Sequence, residues 1–286
     1  MVHRISSNGK AVSKPPKSFG YTRNDNNVRL ASRSTPWDFS FEQTFQDADN
    51  SFGSLVDWLK TLSSRIAKPS ASIAGRLTPL ALTKERELLL AQCCASLIVR
   101  SPSLRSRVRM TIESSRRAFG IESFEANQSL VAMNVRAGQQ ELSRSIVGGG
   151  KFAVLLSGEN EFIFGDGFFH NVSAVNGPVY SPRFLIPLTP EIAVTYTRPS
   201  SYLSHPKALV MNLTPEEVSF VNRTVQIYSG QYLFFREVYP VIDDAFACGA
   251  YLQFEYHKHP WIDALHEVMA DTNFAREMKS NTAGPC

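Results

Sequence analysis

Asp166 is the residue of this chain whose setting best suits chemistry. It follows the apolar run Phe162-Ile163-Phe164 and stands between Gly165 and Gly167. Flanking glycines let a backbone turn tightly and approach another group closely. A carboxylate so placed can act as a general base, ligate a metal or cap a turn. The first two roles need a partner acid, and Glu42, Glu85 and Glu161 are available for it. A second group is Gln92, Ser96 and Arg100. They recur every four residues and so share one stripe of a helix. That helix, Lys84 to about Arg100, is apolar on nearly every other side, which marks it as buried. A buried polar group without a partner costs roughly 1–3 kcal/mol. Arg100 is therefore expected to meet an internal acid, Asp166 being one, or to join Asp166 and Gln92 in a catalytic cluster.

The next helix adds charge. It is expected from Ser103 to about Phe119 and carries Arg105, Arg107, Arg109, Arg116 and Arg117 against one acid, Glu113. Arg105, Arg109 and Arg116 fall close to one face. An arginine face can neutralise backbone phosphates, or it can simply be solvated. Metal chemistry has weaker support. His257 and His259 would share one face of an extended segment, and His170 lies four residues after Asp166, but neither pair has a clear third ligand. A divalent metal is thus an open expectation that no ligand motif selects. No P-loop, dinucleotide glycine fingerprint, nucleophile elbow or zinc-protease motif occurs.

Several elements must position these residues. Apolar positions from Phe41 to Ile66 recur at three- and four-residue steps, predicting a helix with Ser40 as its N-cap. Thr83 is expected to cap the Gln92 helix. A fourth helix is expected over Glu122–Ile146, ended by Gly148–Gly150. At Lys151 the period becomes extended. Phe152–Leu156 and Glu161–Phe164 read as a hairpin turning at Gly158, Phe184–Leu188 and Ile192–Tyr196 as a second pair, and Ala208–Leu213 as a further strand. Thr214-Pro215-Glu216-Glu217 opens another helix, and Trp261–Met269 is helical. Tyr232–Phe235 fits a strand or a helix. The fold class is α+β: a helical module (38–150) packed on a mostly antiparallel sheet of four or five strands, helices on one side, with C-terminal helices (151–286), probed by a basic extended arm (1–37) holding one short strand near Val2–Ile5.

Composition sets the frame. The chain has 286 residues, 43% hydrophobic and 20% charged, enough for a sizeable core. The net charge is +4, of which the arm holds +6 and the remainder −2. A basic arm on a near-neutral body can reach for phosphates or be a solvated extension. No apolar stretch is long enough to span a membrane, and no secretory signal opens the chain. Cys93, Cys94, Cys248 and Cys286 lack zinc-ligand spacing and read as thiols of a reducing, cytoplasmic protein.

The run Leu88 to Arg105, L-L-L-A-Q-C-C-A-S-L-I-V-R-S-P-S-L-R, resembles the apolar Gln-bearing helix and following R-[ST]-P-x-x-R of the bacterial Domain of Unknown Function 4238 family. Phe162 to Asp166 is similar to that family's F-x-x-[ST]-D-x-P motif, Ile186 to Pro190 to its P-L-[ST]-P motif, and Asn222 matches the Asn of a later helix. Glycines replace the family's residues around the acid, and its N-terminal Q-H-x-x-P motif has no counterpart. The resemblance covers roughly residues 40–230 and implies the location of a site more than an activity. Two functions are therefore expected in competition. One is a nucleic-acid-associated protein, a nuclease-like member of a bacterial defence system, with Asp166, Gln92 and Arg100 catalytic and Arg105, Arg109, Arg116 and Asn222 binding. The other is a non-catalytic interaction module, in which an Arg100–Asp166 pair is core glue and Tyr228–Tyr256 faces a protein partner or a second copy.

Overall fold

The computed structural model describes residues 2–15, 27–28, 39–40, 42–62, 72–120, 124–171, 181–198, 205–247, 259–274 and 276. The chain opens with β1 (Val2–Ser6) and β2 (Ala11–Lys14), an antiparallel hairpin, so part of the expected arm is a sheet component. β3 (Asn27–Val28) pairs with β4 (Phe39–Ser40), and the rest of the arm lies outside the described residues. A 3-10 turn at Glu42–Phe45 leads into α1 (Gln46–Lys60). Ser40 does not cap this helix, because its backbone is extended and paired with Asn27; Phe45 takes the N-cap position without a side-chain bond.

α2 (Ile73–Arg76) and β5 (Thr78–Leu80) follow, then α3 (Lys84–Arg100), α4 (Pro102–Ala118) and α5 (Phe124–Ile146). The start signals act locally. Thr83 Oγ1 accepts the Arg86 amide at the head of α3, and Ser101 Oγ accepts the Leu104 amide at the head of α4, with Pro102 in the first turn. The second half contains β6 (Lys151–Leu156), β7 (Phe164–Gly165), β8 (Phe169–His170), β9 (Arg183–Pro187), β10 (Ile192–Thr197), β11 (Ala208–Asn212), α6 (Pro215–Tyr228), β12 (Tyr232–Phe235), α7 (Asp244–Ala247) and α8 (Pro260–Ala270).

The class is α+β, and the sheet differs in detail from the expected one. The main sheet has six strands in the order β5-β11-β6-β10-β9-β8, antiparallel except where β11 runs parallel to β6. Helices cover both of its faces. Phe152, Val154, Leu156, Phe184, Ile186 and Val194 pack into the core formed with α1, α3, α4 and α5. Their alternate neighbours Ala153, Leu155, Leu185 and Ala193 pack with Val218 and Val221 of α6 and Ile262, Leu265 and Met269 of α8. Every residue of β6 and of β10 is consequently buried, Lys151, Thr195 and Thr197 included, which is why these strands read as largely apolar runs without polar alternation.

The expected hairpin between Phe152–Leu156 and Glu161–Phe164 does not form. β6 is flanked by β10 and β11 instead. The turn does occur, with Gly158 at φ +64°. Beyond it the backbone leaves the main sheet: the Phe162 amide donates to the Pro190 carbonyl at 2.7 Å, and the Ile163 amide to Asn222 Oδ1 at 3.0 Å. β7 then joins a second, four-stranded sheet of order β2-β1-β12-β7, where Tyr232–Phe235 proves to be a strand.

Candidate functional site

Asp166 sits where α4, α6 and the second sheet meet, and it is 7% exposed. Its carboxylate accepts three backbone amides from the turn that follows α6: Gly230 at 2.7 Å, Gln231 at 2.8 Å and Tyr232 at 3.3 Å. Its own amide donates to the Tyr232 carbonyl at 3.1 Å, and its carbonyl accepts the Ser103 amide of α4 at 3.2 Å. Burial pushes the carboxyl above its ordinary value, and the three amides draw it part of the way back. The flanking glycines serve this crossing. A Cβ at Gly167 would collide with the Tyr228 carbonyl and Ser103, and one at Gly165 with Ser229 and Val225. The tight approach expected from Gly165-Asp166-Gly167 is present, and what approaches is the chain itself.

Asn222 holds the same segment a few residues earlier. From α6 it accepts the Ile163 amide and donates to the Glu161 carbonyl at 2.9 Å. Asp166 and Asn222 are thus brought together as two clamps fastening residues 161–166 to α6 and its following turn.

Arg100 is not in this assembly. It forms a forked pair with Asp49, Nη1 to Oδ2 at 3.0 Å and Nη2 to Oδ1 at 2.5 Å, and its guanidinium lies 4.8 Å from the Phe45 ring centroid. The expected Arg100–Asp166 pair is therefore replaced by an Arg100–Asp49 pair joining α3 to α1. The acid was legible only as one of several on the expected first helix. Gln92 lies elsewhere again, on the wall of a cleft of about 590 Å³ between α1, α3 and α5, where its carbonyl accepts Gln139 Nε2 at 3.1 Å. Asp166, Gln92 and Arg100 do not form one cluster.

The arginine face is divided by depth. Arg105 and Arg107 are buried, Arg116 is half-buried, and Arg109 and Arg117 are exposed. Arg107 Nη2 meets His170 Nε2 at 2.8 Å, which occupies the histidine considered as a metal ligand with Asp166. His259 is buried beside Tyr228 and Phe169, and His257 lies outside the described residues. Among the described residues no three His, Cys, Asp or Glu side chains are grouped to hold a metal. Cys93 and Cys94 are buried free thiols; burial raises Cys93 to about 11 and Cys94 well above its ordinary value.

Two polar features escaped the sequence reading. His266 of α8 is buried in a chain of bonds on the main sheet. Arg183 Nε donates to its Nδ1 at 3.0 Å, which leaves the proton on Nε2 to face Thr195 Oγ1 at 2.7 Å, and Thr195 donates onward to the Phe184 carbonyl at 2.7 Å. Arg183 also reaches Asp263 at 2.7 Å. Burial, then the Arg183 charge, hold His266 well below its ordinary value. Lys151 is fully buried at the start of β6, and burial brings its ammonium down to about 8 while Asp271 pulls it up. Lys151 marked only a change of period in the sequence, and no pattern singled out His266. No protein-family model, curated protein or solved structure matches this chain.

Proposed function

We propose that this protein is a non-catalytic protein-interaction module. The carrying observation is that the polar groups which would do chemistry are engaged by other groups of the same chain, while apolar side chains stand outside the fold. Asp166 is taken by three amides, Arg100 by Asp49 and Asn222 by a strand backbone. Within one short loop after β12, Val238 is 62%, Tyr239 56% and Val241 91% exposed. Large apolar side chains grouped at a surface favour a partner over water. This loop belongs to the segment Tyr228–Tyr256 that the sequence marks as a partner surface, although Tyr228 itself is buried.

A photo-crosslinking residue at position 239 of the full chain tests the reading. A discrete protein adduct is expected, a second copy or another chain, and Val241→Asp should abolish it. Diffuse labelling, or an adduct indifferent to Val241→Asp, would remove this reading.

A second reading, nucleic-acid binding, is favoured by one specific feature. α4 exposes Arg109 and Arg117, and Phe119 just beyond its end is 80% exposed, a pairing of cation and aromatic that suits a nucleic-acid strand. Salt-dependent anisotropy with RNA and DNA tests it, and no binding at about 50 mM salt eliminates it. In either case we place the protein in a bacterial cytoplasm and beside the Domain of Unknown Function 4238 family. The support is the coincidence of that family's acid and Asn motifs with the two clamps at Asp166 and Asn222. No helix among the described residues is long and apolar enough to cross a membrane.

A further inference from the structure

The cleft between α1, α3 and α5 is of a size that ordinary small-molecule sites share, about 590 Å³. Its polar lining is dominated by side-chain amides, with hydroxyls and two opposite charges among them. Asp47 and Arg144 supply those charges, and both are exposed, so neither is committed to the core. The lining is neutral in sum, which disfavours an ion of one sign and suits a ligand carrying both.

Deeper in the wall, α5 supplies two polar atoms that lack partners. Gln139 is 5% exposed, and its Oε1 has no hydrogen bond. Its amide cannot be reversed to relieve this, because Nε2 donates to the Gln92 carbonyl, which can only accept. Ser143, one turn further along the same helix, has a buried hydroxyl that is likewise unpartnered. A buried acceptor without a donor is costly, and water or a ligand normally relieves it.

We propose that this cleft binds a free α-amino acid with a neutral, hydrogen-bond-donating side chain. The ammonium faces Asp47 and the carboxylate faces Arg144, while the N–H or O–H of the ligand side chain donates to Gln139 Oε1 and Ser143 completes the contact. The two charges select the zwitterion, and the orphaned acceptor selects among side chains. This site is distinct from the loop at 238–241 and does not rest on the interaction reading.

The test is thermal denaturation of the full chain titrated with each standard amino acid in turn. The expected result is a saturable rise in Tm with one or a few of Ser, Thr, Asn and Gln, absent with the N-acetylated or methyl-esterified forms of the same compounds. Gln139→Met and Arg144→Ala should each weaken the response by about tenfold or more. Arg144 is exposed, so its variant reports on binding even if the Gln139 variant folds poorly. No shift with any amino acid would overturn the proposal. An equal shift with blocked derivatives, or an undiminished response in Arg144→Ala, would overturn it as well.

Discussion

Asp166 illustrates how a residue with the setting of a catalyst can be a fastener. Its sequence context promises a tight backbone approach, and that promise holds. Which object approaches is decided by residues some sixty positions later, at Gly230 to Tyr232. No local pattern carries that information. The same is true of Arg100, whose need for an acid was legible but whose choice of Asp49 over Asp166 depends on how α1 packs on α3. The clamp makes a definite prediction. Asp166→Asn relieves the burial of a charge, yet whichever way the new side chain turns, its NH₂ faces at least one backbone amide that then has no acceptor. The second effect wins because each unsatisfied buried amide costs about 1–3 kcal/mol. Tm should fall by several degrees and divalent metal should not restore it; an unchanged or raised Tm in calorimetry would refute the clamp.

At the scale of elements, the sequence was most informative wherever structure is determined within a few residues. The caps at Thr83 and Thr214 are of this kind. Thr214 and Glu217 form a reciprocal capping box at the head of α6, Glu217 Oε2 accepting the Thr214 amide at 2.8 Å. Glu217 also pairs with Arg76 and accepts Trp261 Nε1 at 2.9 Å, so one helix start joins α2, α6 and α8. Thr214→Ala should cost about 1 kcal/mol, the ordinary value for a lost cap, measurable as a shift in urea midpoint at constant slope. Glu217→Ala should cost clearly more, because it strands the largely buried Arg76 as well. Strand pairing was less legible. The periods of β6, β9, β10 and β11 were visible, but an alternation says nothing about partners. The hairpin expected at Gly158 failed because the following amides found Pro190 and Asn222. The missing second helical layer has a similar cause: a largely apolar strand declares that both faces are covered without declaring by what.

At the scale of the whole molecule, stability should depend on pH in a direction fixed by its buried groups. His266 has a folded value well below about 6.5, so below that pH the unfolded chain binds a proton that the native state refuses. Stability is therefore lost as pH falls, with a slope approaching about 1.4 kcal/mol per pH unit for this single group. Glu217 and Glu161 add loss in the same direction below about pH 4.5. Burial opposes both, but Arg76, the Thr214 amide and Trp261 hold Glu217 low, and the amides of Glu237 and Val238 with Arg236 hold Glu161 low. Asp166, raised by burial, gives the opposite trend near pH 4. Lys151, brought down to about 8, adds a loss in the same direction that is nearly complete by about pH 7. Melting followed from pH 7 to pH 5 should thus show a decline that begins near 6.5, and a flat profile would contradict a buried neutral His266. The second sheet has a consequence of another kind. β1 is synthesised well before its partner β12, which lies at Tyr232–Phe235. At ordinary translation rates that partner emerges roughly 10–45 s later. Through that interval one edge of the β1–β2 hairpin is open, so each nascent chain carries an unpaired strand edge until β12 emerges, within reach of chaperones and of neighbouring chains on the same message.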